Sequence, residues 1–189
     1  MGRLFHDKWP WRRDAEGRTA LEVIPARLRW ALGLALILFA GAGMAIWSVD
    51  HDPARWHADP LASERTGRPN DHLVAPEGLA AAPVDAVFAP VFPPAAESPA
   101  ALIAQLHRVA MAEPRVTVVA GSPEALHVTY VQRSAVFGFP DYISVRAVPV
   151  GGGAGLALWS RARFGYSDMG VNAARVSRWL GALGVRGAN

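Results

Sequence analysis

The sequence predicts an α+β protein in which a four-stranded antiparallel sheet is flanked by an N-terminal and a C-terminal helix. One transmembrane helix and a Pro-rich linker precede that domain. Three observations lead to this prediction: an uncharged run of twenty residues, a concentration of prolines after it, and helical and strand-like periodicities beyond residue 97. The predicted segments are a cytoplasmic tail (1–29), a transmembrane helix (30–49), a Pro-rich extended linker (50–97), an α+β domain (98–184) and a short tail (185–189).

The membrane helix is predicted from the run between Trp30 and Val49, which contains no charged residue. A helix of this length spans about 30 Å, the thickness of the hydrocarbon core. Arg27 and Arg29 precede the run and acidic residues follow it, so the positive-inside rule places the N-terminus in the cytoplasm. We therefore predict a single-pass protein of the inner membrane with a periplasmic C-terminal domain. A cleaved signal peptide is the alternative, but the long leader and long apolar run favour an uncleaved anchor.

The linker is predicted from residues 50–97, which hold eight of the fifteen prolines and show no apolar periodicity. Proline fixes φ and lacks the amide donor, so an extended, irregular segment is expected. The end of this segment, from Val84 to Phe92, is too apolar for a free linker. We expect that end to pack against the folded domain.

The folded domain begins with a helix at Ser98, where serine can cap and Pro99 suits the first helical position. This helix is expected to end before Pro114. A second helix is expected from about Val171, with Asn172 as a candidate cap. Between the helices, alternation and turn residues predict four strands, over 115–120, 125–133, 141–148 and 156–163. Short connections make these strands an antiparallel meander.

One face of the predicted sheet is apolar and is expected to lie under the two helices. The opposite face is predicted to be uncovered and combines arginines with aromatic residues: Arg133, Tyr142, Arg146, Trp159, Arg161 and Arg163. Arginine stacks on aromatic rings and holds anions in a planar fork, so this face is a candidate binding surface. Two alternatives stay open: a solvated face, or a face over which the acidic linker folds back.

The segment GYSDMGVN (165–172) is the second candidate, with Tyr166, Ser167, Asp168, Asn172 and the nearby Arg175. It reads either as a strand-to-helix connection whose polar residues cap the helix, or as an anion site at the helix N-terminus. No catalytic residue, metal site or cofactor is predicted, because the histidines lack ligand spacing and the serines lack a nucleophile motif.

Composition and charge exclude several kinds of site and of partner. The chain has no cysteine, so disulfides and thiolate metal sites are excluded, and 51% hydrophobic residues exclude a mostly disordered chain. Residues 114–189 contain eight arginines and three acidic residues, whereas residues 50–113 contain four arginines and nine acidic residues. Because this acidic stretch divides the basic excess, we predict no nucleic-acid partner.

Three runs of the sequence resemble the bacterial and plastid family called domain of unknown function 1499. They are PRVTVV (114–119), YVQRSAVFGFPDYISVR (130–146) and SRARFGYSDMGVNAARVSRWL (160–180). The resemblance covers roughly residues 98–183 and implies these domain limits, but it implies no activity.

We therefore expect a membrane-anchored binding or accessory protein in preference to an enzyme. Its partners would be the lipid bilayer together with a membrane protein complex, an envelope component or an anionic ligand such as a lipid. The alternative is a small enzyme or binding protein for an anionic substrate that uses GYSDMGVN and the nearby arginines. A scaffold that tethers the cytoplasmic tail is a third hypothesis.

Overall fold

The structure is a computed structural model that describes residues 17, 24–91 and 98–184, in two compact units, 1–48 and 49–189. The described part of the first unit contains helix α1 (Ala26–Trp47), whose 22 residues are long and apolar enough to cross a membrane. The helix begins directly after Pro25, four residues before the uncharged run. Its backbone hydrogen bonds form at charged residues as well as at apolar ones, so the helix is longer than the apolar run. Most of the predicted cytoplasmic tail and the tail 185–189 lie outside the described residues.

In chain order, the described part of the second unit contains α2 (Pro53–Trp56), β1 (Asp71–Ala75), β2 (Ala86–Val87), α3 (Pro99–Ala112), β3 (Val116–Ser122), β4 (His127–Arg133), β5 (Pro140–Val150), β6 (Gly153–Ala162) and α4 (Val171–Ala182). The six strands form one mixed sheet in the order β2-β1-β6-β5-β4-β3. Strands β3 to β6 form the predicted antiparallel meander, while β1 pairs antiparallel with β6 and parallel with β2.

The prediction of a four-stranded, wholly antiparallel sheet is wrong, because two strands come from the segment expected to be an extended linker. Pro69 and Pro76 flank β1 instead of interrupting it, so its ladder keeps its amide donors. Its buried half reads as a continuous apolar run, Leu73 to Ala75, without the alternation used to find the other strands. The N-terminal part of the linker, residues 50–60, is likewise packed against the domain.

The hydrophobic core lies between the sheet and the two helices α3 and α4, as predicted. Leu102 and Leu106 of α3 and Trp179 of α4 are fully or almost fully buried against the apolar side of the strands. Phe88, which follows β2, is also fully buried in this core. The expectation that the apolar end of the linker packs on the domain is thus confirmed as far as Val91, and Phe92 lies outside the described residues.

The two helix starts differ in how well the sequence predicted them. At α3, Ser98 Oγ accepts a hydrogen bond from the Ala101 amide at 3.2 Å, as expected of a serine cap. At α4, the candidate cap Asn172 is instead buried, whereas Asp168, another polar residue of the same segment, caps the helix. Its Oδ2 accepts a hydrogen bond from the backbone amide of Asn172 at 2.7 Å. Gly170, at φ 80°, gives the left-handed turn that brings Asp168 back over the first amides.

Candidate anion site

The sheet face opposite the helices is covered by residues 50–60, the strap. Trp56 of the strap stacks flat on Tyr142, with ring centroids 3.8 Å apart and an interplanar angle of 8°. Farther along, Asp59 forms a salt bridge with Arg146 at 2.8 Å. The prediction of an uncovered face is therefore wrong. The acidic linker folds back over the basic half of the chain because it brings both an opposite charge and an indole ring to bury.

Arg161 is buried under the strap, with only 3% of its surface exposed. Its guanidinium carbon lies 4.0 Å from the centroid of the Trp159 ring. It donates to the main-chain oxygen of Trp56 at 2.6 Å and to Ser144 Oγ at 3.1 Å. Burial lowers the pKa of Arg161 to about 10, which leaves the group charged at neutral pH. Within the described residues, all its hydrogen-bond acceptors are neutral oxygens.

Arg161 lines an open cavity of about 300 Å³, bounded by the strap, the loop before β1 and the end of β6. Four arginines and two tryptophans make up most of its lining: Arg55, Arg68, Arg161, Arg163, Trp56 and Trp159. Among the described residues, no acidic side chain lines the cavity. This volume is at the lower end of that found for small-molecule sites. The lining therefore suits a small anion.

The carboxylate of Asp71 lies behind the cavity wall and is already satisfied. It accepts from Trp159 Nε1 at 3.2 Å and from the Thr66 amide at 3.1 Å, and it forms a salt bridge with Arg65. Burial opposes its ionisation, but these hydrogen bonds prevail and the pKa of Asp71 is lowered overall. Its charge is therefore shared with Arg65, and the cavity keeps an excess of positive charge.

A second polar cluster joins the strap to the same face through His51. Arg133 donates to His51 Nε2 at 3.0 Å, so this nitrogen must be unprotonated, and His51 Nδ1 then donates to the Tyr142 hydroxyl at 2.7 Å. Arg163 donates to the same hydroxyl at 3.1 Å. Burial, followed by the charges of Arg133 and Arg163, lowers the pKa of His51.

The other end of the strap is held by two stacked histidines. The rings of His57 and His127 lie 3.9 Å apart, and His57 Nδ1 is 3.0 Å from Thr129 Oγ1. Gly121, at φ 73°, makes room for this pair, because a Cβ there would come within 2.7 Å of the His57 ring. Burial is the main cause that lowers the pKa of both histidines, and the charge of His57 lowers that of His127 further.

We expect mild acid to weaken the strap. The folded state holds His51, His57 and His127 neutral, with pKa values below the usual 6.5, so it binds fewer protons than the unfolded chain. Their contribution to stability is therefore complete above about pH 6.5 and is lost as the pH falls through the lower folded-state values. The nearby charges of Asp50 and Asp59 oppose this effect, and those of Arg133, Arg146 and Arg163 reinforce it. Denaturant unfolding of the full chain should show a lower free energy at about pH 5.5 than at about pH 7.5.

The control for this experiment is a triple variant, His51→Gln, His57→Asn and His127→Gln, which has no imidazole at these positions. Its free energy of unfolding should depend less on pH over the same range. A wild-type curve as flat as that of the variant would show that the strap does not respond to protonation.

Comparison with models of known protein families shows to which family this chain belongs. The model of the family described as "Protein of unknown function (DUF1499)" matches residues 63–183. The chain belongs to this family. No curated protein and no solved structure matched the chain. The DUF1499 match includes β1 and β2, and it begins after the strap, so Arg55 and Trp56 of the cavity lie outside it.

The DUF1499 region contains a second buried arginine, Arg175 of α4, on the helix-covered side of the sheet. It donates to Asp141 Oδ2 at 2.7 Å and to Ser160 Oγ at 2.9 Å, and it also donates to Gln132 Oε1 and Asn172 Oδ1. Burial raises the pKa of Asp141, although Arg175 acts against this. With its hydrogen bonds satisfied inside the protein, Arg175 serves to attach α4 to β4, β5 and β6.

The structure places the predicted binding residues of this DUF1499 protein in several different surroundings. Trp159, Arg161 and Arg163 line the cavity, while Arg133, Tyr142 and Arg146 hold the strap. Asn172 and Arg175 are buried, and Asp168 caps α4. Tyr166 and Ser167 lie exposed in the loop before α4. A binding or catalytic role for any of them stays a prediction.

Sequence reasoning missed five residues of the cavity because they fall in the supposed linker: Arg55, Trp56, Thr66, Arg68 and Asn70. The available signal was Trp56 itself. A tryptophan within a polar, proline-containing segment has a large apolar surface that favours burial. In the parts of the chain that the structure describes, no group of three or more histidine or acidic side chains is placed to hold a metal ion.

Proposed function

We propose that this protein is a single-pass, membrane-anchored binding protein whose DUF1499 domain holds a small anion in the cavity beneath the strap. The length and hydropathy of α1 support the anchor. Arg27 and Arg29, in the first turn of α1 and before its uncharged run, and Asp50 after the helix support a cytoplasmic N-terminus and a periplasmic domain at the inner membrane. A reporter enzyme that is active only outside the cytoplasm, fused after Asn189, tests this orientation, and an inactive fusion would contradict it.

The observation that carries the proposal is the buried charge of Arg161 at the cavity wall. A buried cation whose acceptors are all neutral is costly, since neutral oxygens replace its hydration only in part. Asp71, the cross-strand neighbour of Arg161, offsets part of this cost by its charge but makes no hydrogen bond to the guanidinium and is shared with Arg65. An anion in the cavity would add a countercharge in direct contact with the guanidinium. The guanidinium fork matches the oxygen pairs of phosphate and carboxylate groups, and Arg55, Arg68 and Arg163 would add charge around them.

Binding is tested with the full chain in nanodiscs of phosphatidylcholine, by calorimetric titration with inorganic phosphate. Arg68→Gln should weaken phosphate binding by roughly tenfold or more, because a hydrogen bond to a charged group contributes about 1.5–3 kcal/mol. Arg68 is suited to this test because its side chain is exposed and makes no hydrogen bond among the described residues, so the fold should persist.

The matched control is Arg108→Gln, which removes an exposed arginine of α3, a helix on the other side of the sheet, and touches neither the cavity nor the strap. It should leave the affinity for phosphate unchanged. An equal loss in both variants, or no binding by the wild type, would refute the anion site. Repeating the titration in discs that contain phosphatidylglycerol identifies the source of the ligand. If the cavity binds a lipid headgroup, phosphatidylglycerol should compete with inorganic phosphate and lower its apparent affinity. If the cavity binds a soluble anion, the affinity for phosphate should be the same in both kinds of disc.

A further inference from the structure

An exposed apolar surface lies at one end of the sheet, formed by the loop after β4 (134–139) and the loop after β6 (163–170). Its large exposed side chains, which form the apolar rim, are Val136, Phe137, Phe139, Phe164, Tyr166 and Met169. Val136 is 79% exposed and Met169 is 93% exposed. Apolar side chains exposed to this degree and grouped together indicate a contact surface.

The rim is continuous across the two loops. The register Arg133↔Pro140 and Asp141↔Ala162 places the end of β4, the start of β5 and the end of β6 side by side. The Phe139 and Phe164 rings lie 6.0 Å apart, which joins the two loops into one aromatic surface. The guanidinium of Arg163 lies 5.6 Å from the Phe164 ring, so positive charge adjoins this surface.

The rim lies next to a residue that follows α1 closely in the sequence, Asp50. The carbonyl oxygen of Asp50 accepts a hydrogen bond from Arg163, the residue directly before Phe164. Helix α1 ends at Trp47, only three residues before Asp50. Three extended residues reach at most about 10 Å. If α1 spans the bilayer, the rim end of the domain therefore cannot be far from the membrane surface.

We propose that the apolar rim inserts into the headgroup region of the bilayer that α1 spans. The polar layer on each side of the hydrocarbon core is about 5–8 Å thick, comparable with the tether. Aromatic side chains favour this layer, and arginines beside them are attracted to lipid phosphates. The rim would fix the orientation of the domain at the membrane. This inference rests on the proposed anchoring by α1, but it does not depend on anion binding in the cavity.

The absence of cysteine from the sequence allows a direct test, because one introduced cysteine takes a fluorescent label at a single position. We would label Val136→Cys and Tyr166→Cys, one in each loop of the rim, in the full chain reconstituted in nanodiscs. Lipids carrying a nitroxide quencher near the headgroup then report contact. The matched control is Ala125→Cys, in the exposed turn before β4, about 20 Å along that strand from the rim.

Fluorescence at residues 136 and 166 should be quenched several-fold more than at residue 125. Adding Phe139→Ser and Phe164→Ser to the Val136→Cys chain should reduce its quenching towards that of the control. Equal quenching at all three positions, in protein that stays with the discs, would refute the contact between the rim and the lipid and leave the proposed anchor standing. Protein that fails to remain with the discs would overturn the anchor. Labels shielded from water but not quenched by lipid would assign the rim to a protein partner and contradict the proposal.

Discussion

Replacing Arg175 with methionine should lower the free energy of unfolding by about 3–5 kcal/mol, the usual cost of removing one partner from a buried ion pair. Arg175 is 4% exposed and holds Asp141 at 2.7 Å. Methionine fills much of the space but donates nothing, so Asp141 must stay charged without its partner or take up a proton. Gln132 and Asn172 also lose a donor. Denaturant unfolding followed by circular dichroism measures the difference.

Arg178→Met is the matched control, in the same helix and with the same change of side chain. Arg178 also forms a salt bridge, to Glu113 at 2.7 Å, but its side chain is 53% exposed. Exposed ion pairs contribute about 0–1 kcal/mol, so this variant should remain close to the wild type in stability. Similar losses of unfolding free energy in the two variants would show that Arg175 contributes no more to the attachment of α4 than the exposed Arg178 does. The double variant Arg175→Met, Asp141→Leu should recover part of the loss, because no buried carboxylate then lacks a partner.

The elements that were predicted correctly are those whose secondary structure is determined by neighbouring residues in the sequence. Ser98 and Pro99 fix the start of α3 by their own capping chemistry. The alternation from His127 to Arg133 identifies a strand and assigns its two faces without knowledge of its neighbours. The apolar run of α1 is equally evident from the sequence alone. In each case the residues that decide the structure lie within a few positions of each other.

The elements that sequence reasoning missed depend on contacts between distant residues. β1 is a strand because β6, more than eighty positions away, pairs with it, and its prolines resemble those of a linker until that pairing is known. Trp56 has a partner only because β5 presents Tyr142. The candidate cavity depends on the same contact, since Arg55 and Trp56 reach Arg161 only when the strap is in place. Two of the four cavity arginines, Arg161 and Arg163, could therefore be predicted from the sequence, whereas the contact with the strap that completes the cavity could not.

Shortening the chain from its N-terminus should separate the contributions of the strap and of β1. A chain of residues 98–189 should not fold cooperatively, because it lacks an interior strand of the sheet. Loss of β1 leaves the long strand β6 as an unpaired edge and removes Leu73, Val74 and Phe88 from the core. Each such side chain contributes about 1.5–3 kcal/mol by burial, and their sum is comparable with the whole stability of a small domain.

Two longer chains are the controls for that result. Residues 49–189 keep every element of the second unit and should unfold in one cooperative transition. Residues 63–189 keep β1 and the whole DUF1499 match but lose the strap. This chain should fold with lower stability, and it should lose most of its affinity for phosphate, because Arg55 and Trp56 are gone and Arg161 loses the main-chain oxygen of Trp56. Thermal unfolding and phosphate titration of the three chains measure these effects. A stably folded 98–189 chain would show that β1 is dispensable, and full phosphate affinity without residues 49–62 would show that the strap is not part of the site.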